Sequence, residues 1–354
     1  MRFLMLLALV VFGSEGFALE VAKHGGRLFV TEACDQGGGV LRSLAAWSAK
    51  AQTGKKCNML ARGESMMDAK SCRYDITDCV PDHVVQYQGA NPKLDGPNCW
   101  NLSLVMSKIL PNLRYSTPEE MNFYMRPPLC RQLKDGEARE PGDVGAIREV
   151  SQGGTTETHG FIYISEKLAY SKNGMSRKSP YALQTLENVY DVYDVPQQAV
   201  CRKNEINVAS AKCNQAVAYF RCDSMESYLS KTKNVPADIK KAYNDINAVD
   251  ACMEKSAFSG QALSNEAQKN VLETSQALLT YLEKSKSSPE IAKIPKEERE
   301  FILGSLQLRL AAIADQMQAI AMGTQSVPTY ESSLELSALS EAIHDASKNI
   351  AGGK

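Results

Sequence analysis

The chain has 354 residues, of which 40 are lysine or arginine and 41 are aspartate or glutamate, so its formal net charge is −1. This near-neutral balance excludes the basic surface by which proteins attract nucleic acids, and no nucleic-acid partner is predicted. The length allows two or three domains with a buried core, and 10 cysteines are typical of proteins that fold in an oxidising compartment.

The chain begins with the features of a secretory signal peptide. Arg2 supplies a positive charge, residues 3–12 are apolar, and Ala18 is the small residue typical of a cleavage site. A helix needs about twenty apolar residues to cross a bilayer, so we predict a cleaved signal over residues 1–18 rather than a membrane anchor. The mature protein is expected to be secreted or periplasmic, with no integral membrane span.

The segment from residue 19 to residue 83 is predicted to be a disulfide-rich unit without catalytic chemistry. The glycine pair at residues 25–26 indicates a turn, and residues 41–50 have the composition of a short helix. Four cysteines lie here and four follow the middle region, and each group is able to pair within itself: Cys34, Cys57, Cys72 and Cys79, then Cys201, Cys213, Cys222 and Cys252.

Cys99 and Cys130 are left outside both groups. They are either free or bridged to each other, because sequence alone does not fix connectivity. No cysteine pair has the C-x-x-C spacing of a zinc site, so neither a metal nor another cofactor is predicted.

A short helix with a cysteine at its N-terminal end is predicted between Pro97 and Pro111. Its apolar residues have the spacing of one helical face: Leu102, Val105, Met106 and Ile109. Asn98 is a favoured N-cap residue and would place Cys99 at the first helical position. Unpaired N–H groups and the helix dipole favour a thiolate there, and the same groups would stabilise an oxyanion. Cys99 is therefore a candidate nucleophile.

Several short antiparallel strands are predicted after this helix. The turn at residues 141–143 introduces a strand that ends near Val150, and the alternating run at residues 158–165 follows. Further strands are expected at residues 168–174 and 189–195. A helix followed by short strands indicates an α+β unit, which we place at residues 84–198.

His159 is the only histidine of this unit and begins one of its predicted strands. From there the imidazole is able to face a thiolate on the neighbouring helix, as general base for the attack and general acid for the leaving amine. The alternative is a half-exposed histidine at a strand end with no chemical role.

Four motifs in this order resemble the NlpC family of cell-wall cysteine peptidases, whose fold is papain-like. They are Tyr87-Gln88-Gly89, Gly96-Pro97-Asn98-Cys99, Pro141-Gly142-Asp143-Val144 and His159-Gly160-Phe161-Ile162-Tyr163-Ile164. The resemblance covers about a third of the chain, and it implies a helix packed on a small antiparallel sheet.

The resemblance also implies roles for individual residues. Cys99 corresponds to the nucleophile, His159 to the general base, and Tyr87 to the tyrosine whose hydroxyl lies near the oxyanion site. The family's third residue, often a second histidine, falls at residues 171–173, where no histidine is present. We prefer Asn173 as the group that orients the imidazole, with Ser171 and Lys172 as alternatives.

Three positions beside the nucleophile depart from the family pattern. Asn98 stands where the family usually has aspartate, Trp100 where it has serine, and Asn101 where it has glycine. The rim that faces the substrate is therefore expected to be altered and bulkier, with Asn98 and Trp100 as candidate oxyanion or substrate contacts.

From residue 199 to residue 354 the composition changes to helix formers. Apolar residues at helical spacing occur at residues 206–220, and further runs follow Pro236. We predict an all-α, up-and-down helical domain whose apolar faces form its core. A protein partner is the alternative occupant of one of these faces.

We therefore predict an exported cysteine hydrolase with a papain-like α+β core and a helical domain. By the resemblance, its substrate is the peptide stem of peptidoglycan, cleaved by acyl transfer through Cys99 and His159. Two alternatives remain: a non-catalytic wall-binding or structural module, and an acyltransferase or thioesterase on the same fold.

Overall fold

The computed structural model describes residues 19–34, 38–50, 57, 71–151, 154–202, 213–285, 291 and 293–351. The predicted signal peptide at residues 1–18 lies outside them. The described chain is of the mixed α+β class, with antiparallel sheets followed by long helices, as predicted.

The N-terminal unit is a three-stranded antiparallel sheet with one helix. Its strands are β1 (Glu20–His24), β2 (Arg27–Ala33) and β3 (Ser71–Asp75), and helix α1 (Gly39–Lys50) lies between β2 and β3 in the chain. Two cystines, Cys34–Cys72 and Cys57–Cys79, join residues within the first predicted group. Trp47 of α1 is buried against Tyr170 of the central sheet, with 6.2 Å between ring centroids, so this unit packs on the next.

The central unit is a six-stranded antiparallel sheet in the order β4-β9-β5-β6-β7-β8. The strands are β4 (Cys130–Gln132), β5 (Val144–Ser151), β6 (Gly154–Ser165), β7 (Leu168–Lys172), β8 (Tyr181–Thr185) and β9 (Gln215–Cys222). Short helices flank them: α2 (Asp82–Tyr87), α3 (Cys99–Met106), α4 (Pro118–Tyr124), α5 (Leu186–Val192) and α6 (Ala199–Arg202).

The two faces of this sheet bury different apolar clusters. Helix α3 packs on the face that carries Ile162 and Ile164, whereas Phe161 and Tyr163 belong to a second cluster on the other face, together with α5. Successive side chains of β6 therefore pack alternately in the two clusters, as the two-residue period of a strand requires.

The C-terminal unit is helical. After the short helix α7 (Met225–Lys231) come α8 (Ala237–Ser259), α9 (Asn265–Ser285), α10 (Lys296–Thr324) and α11 (Val327–Ala351). Their inward faces continue the buried cluster on which α3 lies, so one apolar core joins the sheet to the helices.

Two sequence predictions of secondary structure are wrong. The apolar run predicted as the first C-terminal helix contains β9, which lies between β4 and β5, so the sheet continues past the boundary placed at residue 198. Residues 189–195, predicted as a strand, lie in and just after α5, which begins because the Thr185 hydroxyl accepts a hydrogen bond from the Asn188 N–H at 3.1 Å.

The disulfide pattern after the central helix also differs from the prediction. Cys130 pairs with Cys222 across β4 and β9, and Cys201 pairs with Cys213. Cys99 and Cys252 are the free thiols among the described cysteines. The bridge between Cys99 and Cys130 is therefore excluded, and the second group of four does not close on itself.

Candidate active site

Cys99 is the first residue of α3, where the sequence places it. The Asn98 side chain caps the helix by accepting a hydrogen bond from the Asn101 N–H at 3.0 Å. The thiol is free, and Cys99 is only 4% exposed.

The Cys99 sulfur lies among backbone N–H groups from three separate segments. The backbone amides of Gly160, Trp100 and Gly174 and the positive charge of Lys172 each lower the pKa of the thiol. Burial opposes them and is the largest effect, so the pKa of Cys99 is raised from its ordinary value. The resting thiol is therefore protonated at neutral pH.

Gly160 allows α3 to approach the strand so closely. A Cβ at this position would lie 2.8 Å from the Ser103 hydroxyl oxygen, so a larger residue would displace that side chain from its place against the strand. The glycine that follows His159 is thus part of the site, and no pattern in the sequence marks it apart from the motif that contains it.

His159 lies within β6 and is completely buried. Its Nε2 is 2.8 Å from the Ser171 hydroxyl oxygen on β7, and its ring stacks on Tyr193 with centroids 4.0 Å apart. Its Nδ1 has no hydrogen-bond partner. Burial lowers the pKa of His159 to about 3, so the imidazole is neutral and Nδ1 is the nitrogen that remains for a proton transfer.

No hydrogen bond joins Cys99 to His159 among the described residues. His159 shares its face of β6 with Phe161, whose ring centroid is 6.3 Å away, and this face is opposite to the one on which α3 packs. The two residues are connected only through neighbours in common. Gly160, which donates to the sulfur, adjoins His159 in the chain, and Tyr193, which stacks on the imidazole, has its pKa raised chiefly by burial and also by Cys99.

The imidazole is oriented by Ser171 rather than by Asn173, the preferred candidate from the sequence. Ser171 lies on the side of β7 that faces His159. The Oδ1 atom of Asn173 is buried without a hydrogen-bond partner. The preference for Asn173 is corrected accordingly.

The Tyr87 hydroxyl, which the resemblance places near the oxyanion site, is hydrogen-bonded to Gln86 and Glu254. That hydroxyl donates to a carboxylate oxygen of Glu254 on α8 and accepts a hydrogen bond from Gln86 Nε2 at 2.8 Å. The Tyr87 ring packs on Phe258 of the same helix, with centroids 4.3 Å apart. Tyr87 therefore belongs to the contact between the central unit and the helices.

The residues beside Cys99 that depart from the family pattern have structural partners. Asn98 Nδ2 donates to the Ser116 carbonyl at 2.7 Å, and Asn101 Oδ1 accepts from the Arg114 N–H at 2.8 Å. Both side chains attach the start of α3 to the segment before α4. Trp100 is half-buried, and its indole N–H has no hydrogen-bond partner.

A short loop after β7 covers the thiol. Gly174 contacts the sulfur through its N–H, while residues 174–178 face solvent and Met175 is 48% exposed. Two hydrogen bonds attach this loop to the segment before α3, from the Gly96 N–H to the Met175 carbonyl at 3.2 Å and from the Arg177 N–H to Asp95 Oδ1 at 2.6 Å. The site is closed in this conformation.

Open space lies elsewhere on the molecule. A cavity of about 830 Å³ is found beyond the other end of α3, among Met106, Ile109, Met225 and Tyr243, and neither Cys99 nor His159 lines it. The described part of the chain brings no three potential metal ligands together, and none of its helices has the length and hydrophobicity that a membrane span requires.

Comparison with protein-family models, with curated proteins and with solved structures finds no match to this chain. The resemblance to the NlpC family therefore rests on the four short motifs.

Proposed function

We propose that the chain is an exported cysteine hydrolase with a papain-like core, which cleaves amide bonds in peptidoglycan stem peptides. One observation carries this proposal: the free Cys99 thiol, at a helix N-terminus, contacts the amide next to His159, whose ring is held at Nε2 and open at Nδ1. The substrate class comes from the resemblance alone. The four cystines support export, since such bonds persist in oxidising compartments.

The reaction would be an acyl transfer. The Cys99 thiol gives its proton to His159 Nδ1, and the thiolate attacks the amide carbonyl to form a thioester. The backbone N–H groups that now contact the sulfur are donors for the oxyanion. The imidazolium returns its proton to the leaving amine, and water then hydrolyses the thioester. The sulfur and the imidazole must approach each other for the first step, because no hydrogen bond joins them at rest.

Substrate entry requires the loop at residues 174–178 to move. Among the described residues, two hydrogen bonds attach it to the segment before α3, one between backbone groups and one to the Asp95 carboxylate. Gly174 has a φ of 68° with no atom within 4 Å of the Cβ position. Loop opening of this kind is common in enzymes that exclude water from the reacting atoms.

The test is release of stem peptides from purified wall sacculi by the full chain and by Cys99→Ala. Loss of release in Cys99→Ala, with normal release by Cys252→Ala as the matched control, is the expected result. Undiminished release by the Cys99 variant would refute the assignment.

One observation favours a second candidate, a non-catalytic wall-binding or structural module. Burial of Cys99 raises the pKa of its thiol, as in inert structural cysteines. Sacculus binding that is retained by Cys99→Ala, together with no peptide release by either protein, would select this function.

A further inference from the structure

Lys172 is a buried cation without an acidic partner. Its side chain is 0% exposed, and no ion pair of the described residues includes it. The ammonium group donates to the Gly174 carbonyl at 2.9 Å and to the Ser176 carbonyl at 3.0 Å. Lysine is almost never fully buried unless it is paired, so this position requires an explanation.

The position of Lys172 in the fold connects it to the candidate site. It follows Ser171, which holds His159, and it precedes the loop whose Gly174 N–H contacts the Cys99 sulfur. Its ammonium also lies over the Tyr181 ring, 5.8 Å from the centroid. The lysine and the thiol thus contact the same short loop, the lysine at the carbonyls of Gly174 and Ser176 and the thiol at the Gly174 N–H.

Electrostatics couple the two groups. The charge of Lys172 lowers the pKa of Cys99, and the charge of Cys99 raises the pKa of Lys172. Burial, the larger effect on the lysine, brings its pKa to about 8, so it is still mostly protonated at neutral pH. The titratable groups that interact with this pair from the surrounding elements are Asp95, Tyr181 and Tyr193, with His159 adjacent.

We propose that Lys172 is the counter-ion of the Cys99 thiolate. It is a positioning residue whose ammonium group, beneath the loop, stabilises the negative charge on the sulfur. This inference rests on the proposed function in assigning Cys99 as the nucleophile. When the thiol loses its proton, to His159 Nδ1 in the acyl transfer or to solvent without substrate, Lys172 keeps its own, so the new negative charge on the sulfur is balanced by the ammonium.

The imidazole is poorly suited to be that counter-ion. The pKa of His159 is about 3, so a charged imidazolium is disfavoured in the buried ring stack. Burial also disfavours the charged form of Lys172, but its pKa of about 8 leaves it mostly protonated at neutral pH. His159 then acts in proton transfer, and Lys172 supplies the lasting positive charge.

The experiment measures the pH dependence of Cys99 alkylation by iodoacetamide in the full chain. A Cys252→Ser background removes the other free thiol of the described chain, and mass spectrometry of the Cys99 peptide gives the rate. Lys172→Met removes the charge but keeps the apolar stem, and Lys178→Met on the exposed loop is the matched control. Folding is checked by circular dichroism.

We expect Lys172→Met to raise the alkylation midpoint by about one pH unit, because a nearby opposite charge shifts a pKa by at least that much. The rate at pH 7 then falls about tenfold, whereas Lys178→Met leaves the midpoint unchanged. A lysine that only fastens the loop would change the high-pH plateau, which reports access, without moving the midpoint. An unmoved midpoint in folded Lys172→Met would overturn the proposal.

A reciprocal measurement avoids the Lys172 variant altogether. Titration of the Lys172 Nζ signal by ¹⁵N NMR should give a lower midpoint in Cys99→Ala than in the unaltered chain, since linkage is mutual. Equal midpoints would count against the counter-ion. Neither measurement uses peptide release, so the inference can fail while the hydrolase is active, or hold while no hydrolysis is found.

Discussion

At the scale of single residues, the Ser171 hydroxyl is the side chain that fixes the His159 ring. It contacts Nε2 at 2.8 Å, and both residues are completely buried. Removal of the hydroxyl would leave Nε2 without a partner inside the protein, where an unpaired polar atom costs about 1–3 kcal/mol. The ring would then be free to leave the orientation in which Nδ1 is available.

We expect Ser171→Ala to reduce peptide release by about tenfold to a hundredfold, since positioned general acid–base catalysis contributes at least that much. The initial rate of release from sacculi measures it. Asn173→Ala is the control, because Asn173 Oδ1 has no hydrogen-bond partner to lose. A larger loss of rate in Asn173→Ala than in Ser171→Ala would restore Asn173 as the orienting residue.

The sequence could not show which residue, Ser171 or Asn173, orients the His159 ring. Ser171 and Asn173 lie two positions apart and would share one face of a strand. Which of them meets His159 depends on where β7 ends and on its register with β6, in which Ile162 pairs with Tyr170. A register shift by two residues would exchange the two side chains, and no local pattern in the sequence fixes the register. Cys99 was predictable because its position depends only on a local helix cap.

At the scale of elements, Asn98 holds the start of α3 with both ends of its amide. The oxygen caps the helix, and the nitrogen donates to the Ser116 carbonyl, which lies on the segment before α4. Ser224 caps α7 through a single bond to the Ser227 N–H at 3.1 Å. The two caps therefore differ by one buried hydrogen bond.

We expect Asn98→Ala to lower the free energy of unfolding by about 2 kcal/mol, half from the cap and half from the bond to Ser116. Ser224→Ala should lower it by about 1 kcal/mol. Urea denaturation followed by circular dichroism gives both values. Equal losses in the two variants would mean that the bond to Ser116 contributes nothing.

The elements that the sequence predicted wrongly are those defined by distant partners. Strand β9 is buried on both faces between β4 and β5, so Val217, Tyr219 and their neighbours show no alternation, and such a run is also compatible with a helix. The pairing of Cys130 with Cys222 depends on the same strand pair. The four long C-terminal helices were predictable because each carries its own period of apolar residues.

At the scale of the whole molecule, a buried ion network joins the central unit to the helices. Asp250 of α8 accepts from Arg114 Nε at 2.8 Å and from Arg309 Nη2 of α10 at 2.6 Å. Arg114 also forms a bidentate pair with Glu120 of α4. Since Arg114 is bonded in turn to Asn101 of α3, the helix that carries Cys99 is attached to the bundle.

Removal of the Asp250 carboxylate should destabilise the sheet and the helices together. Asp250→Ala leaves two buried guanidinium groups without their shared counter-charge, and loss of one partner from a buried pair costs about 3–5 kcal/mol. Asp245→Ala on the same helix removes only the partner of exposed Lys241 and should cost less than about 0.5 kcal/mol. Thermal unfolding followed in the near and far ultraviolet should show one transition, shifted down in Asp250→Ala alone. Two separate transitions, with the sheet unaffected, would contradict a single cooperative unit, because the network would then stabilise the helices without holding the central unit to them.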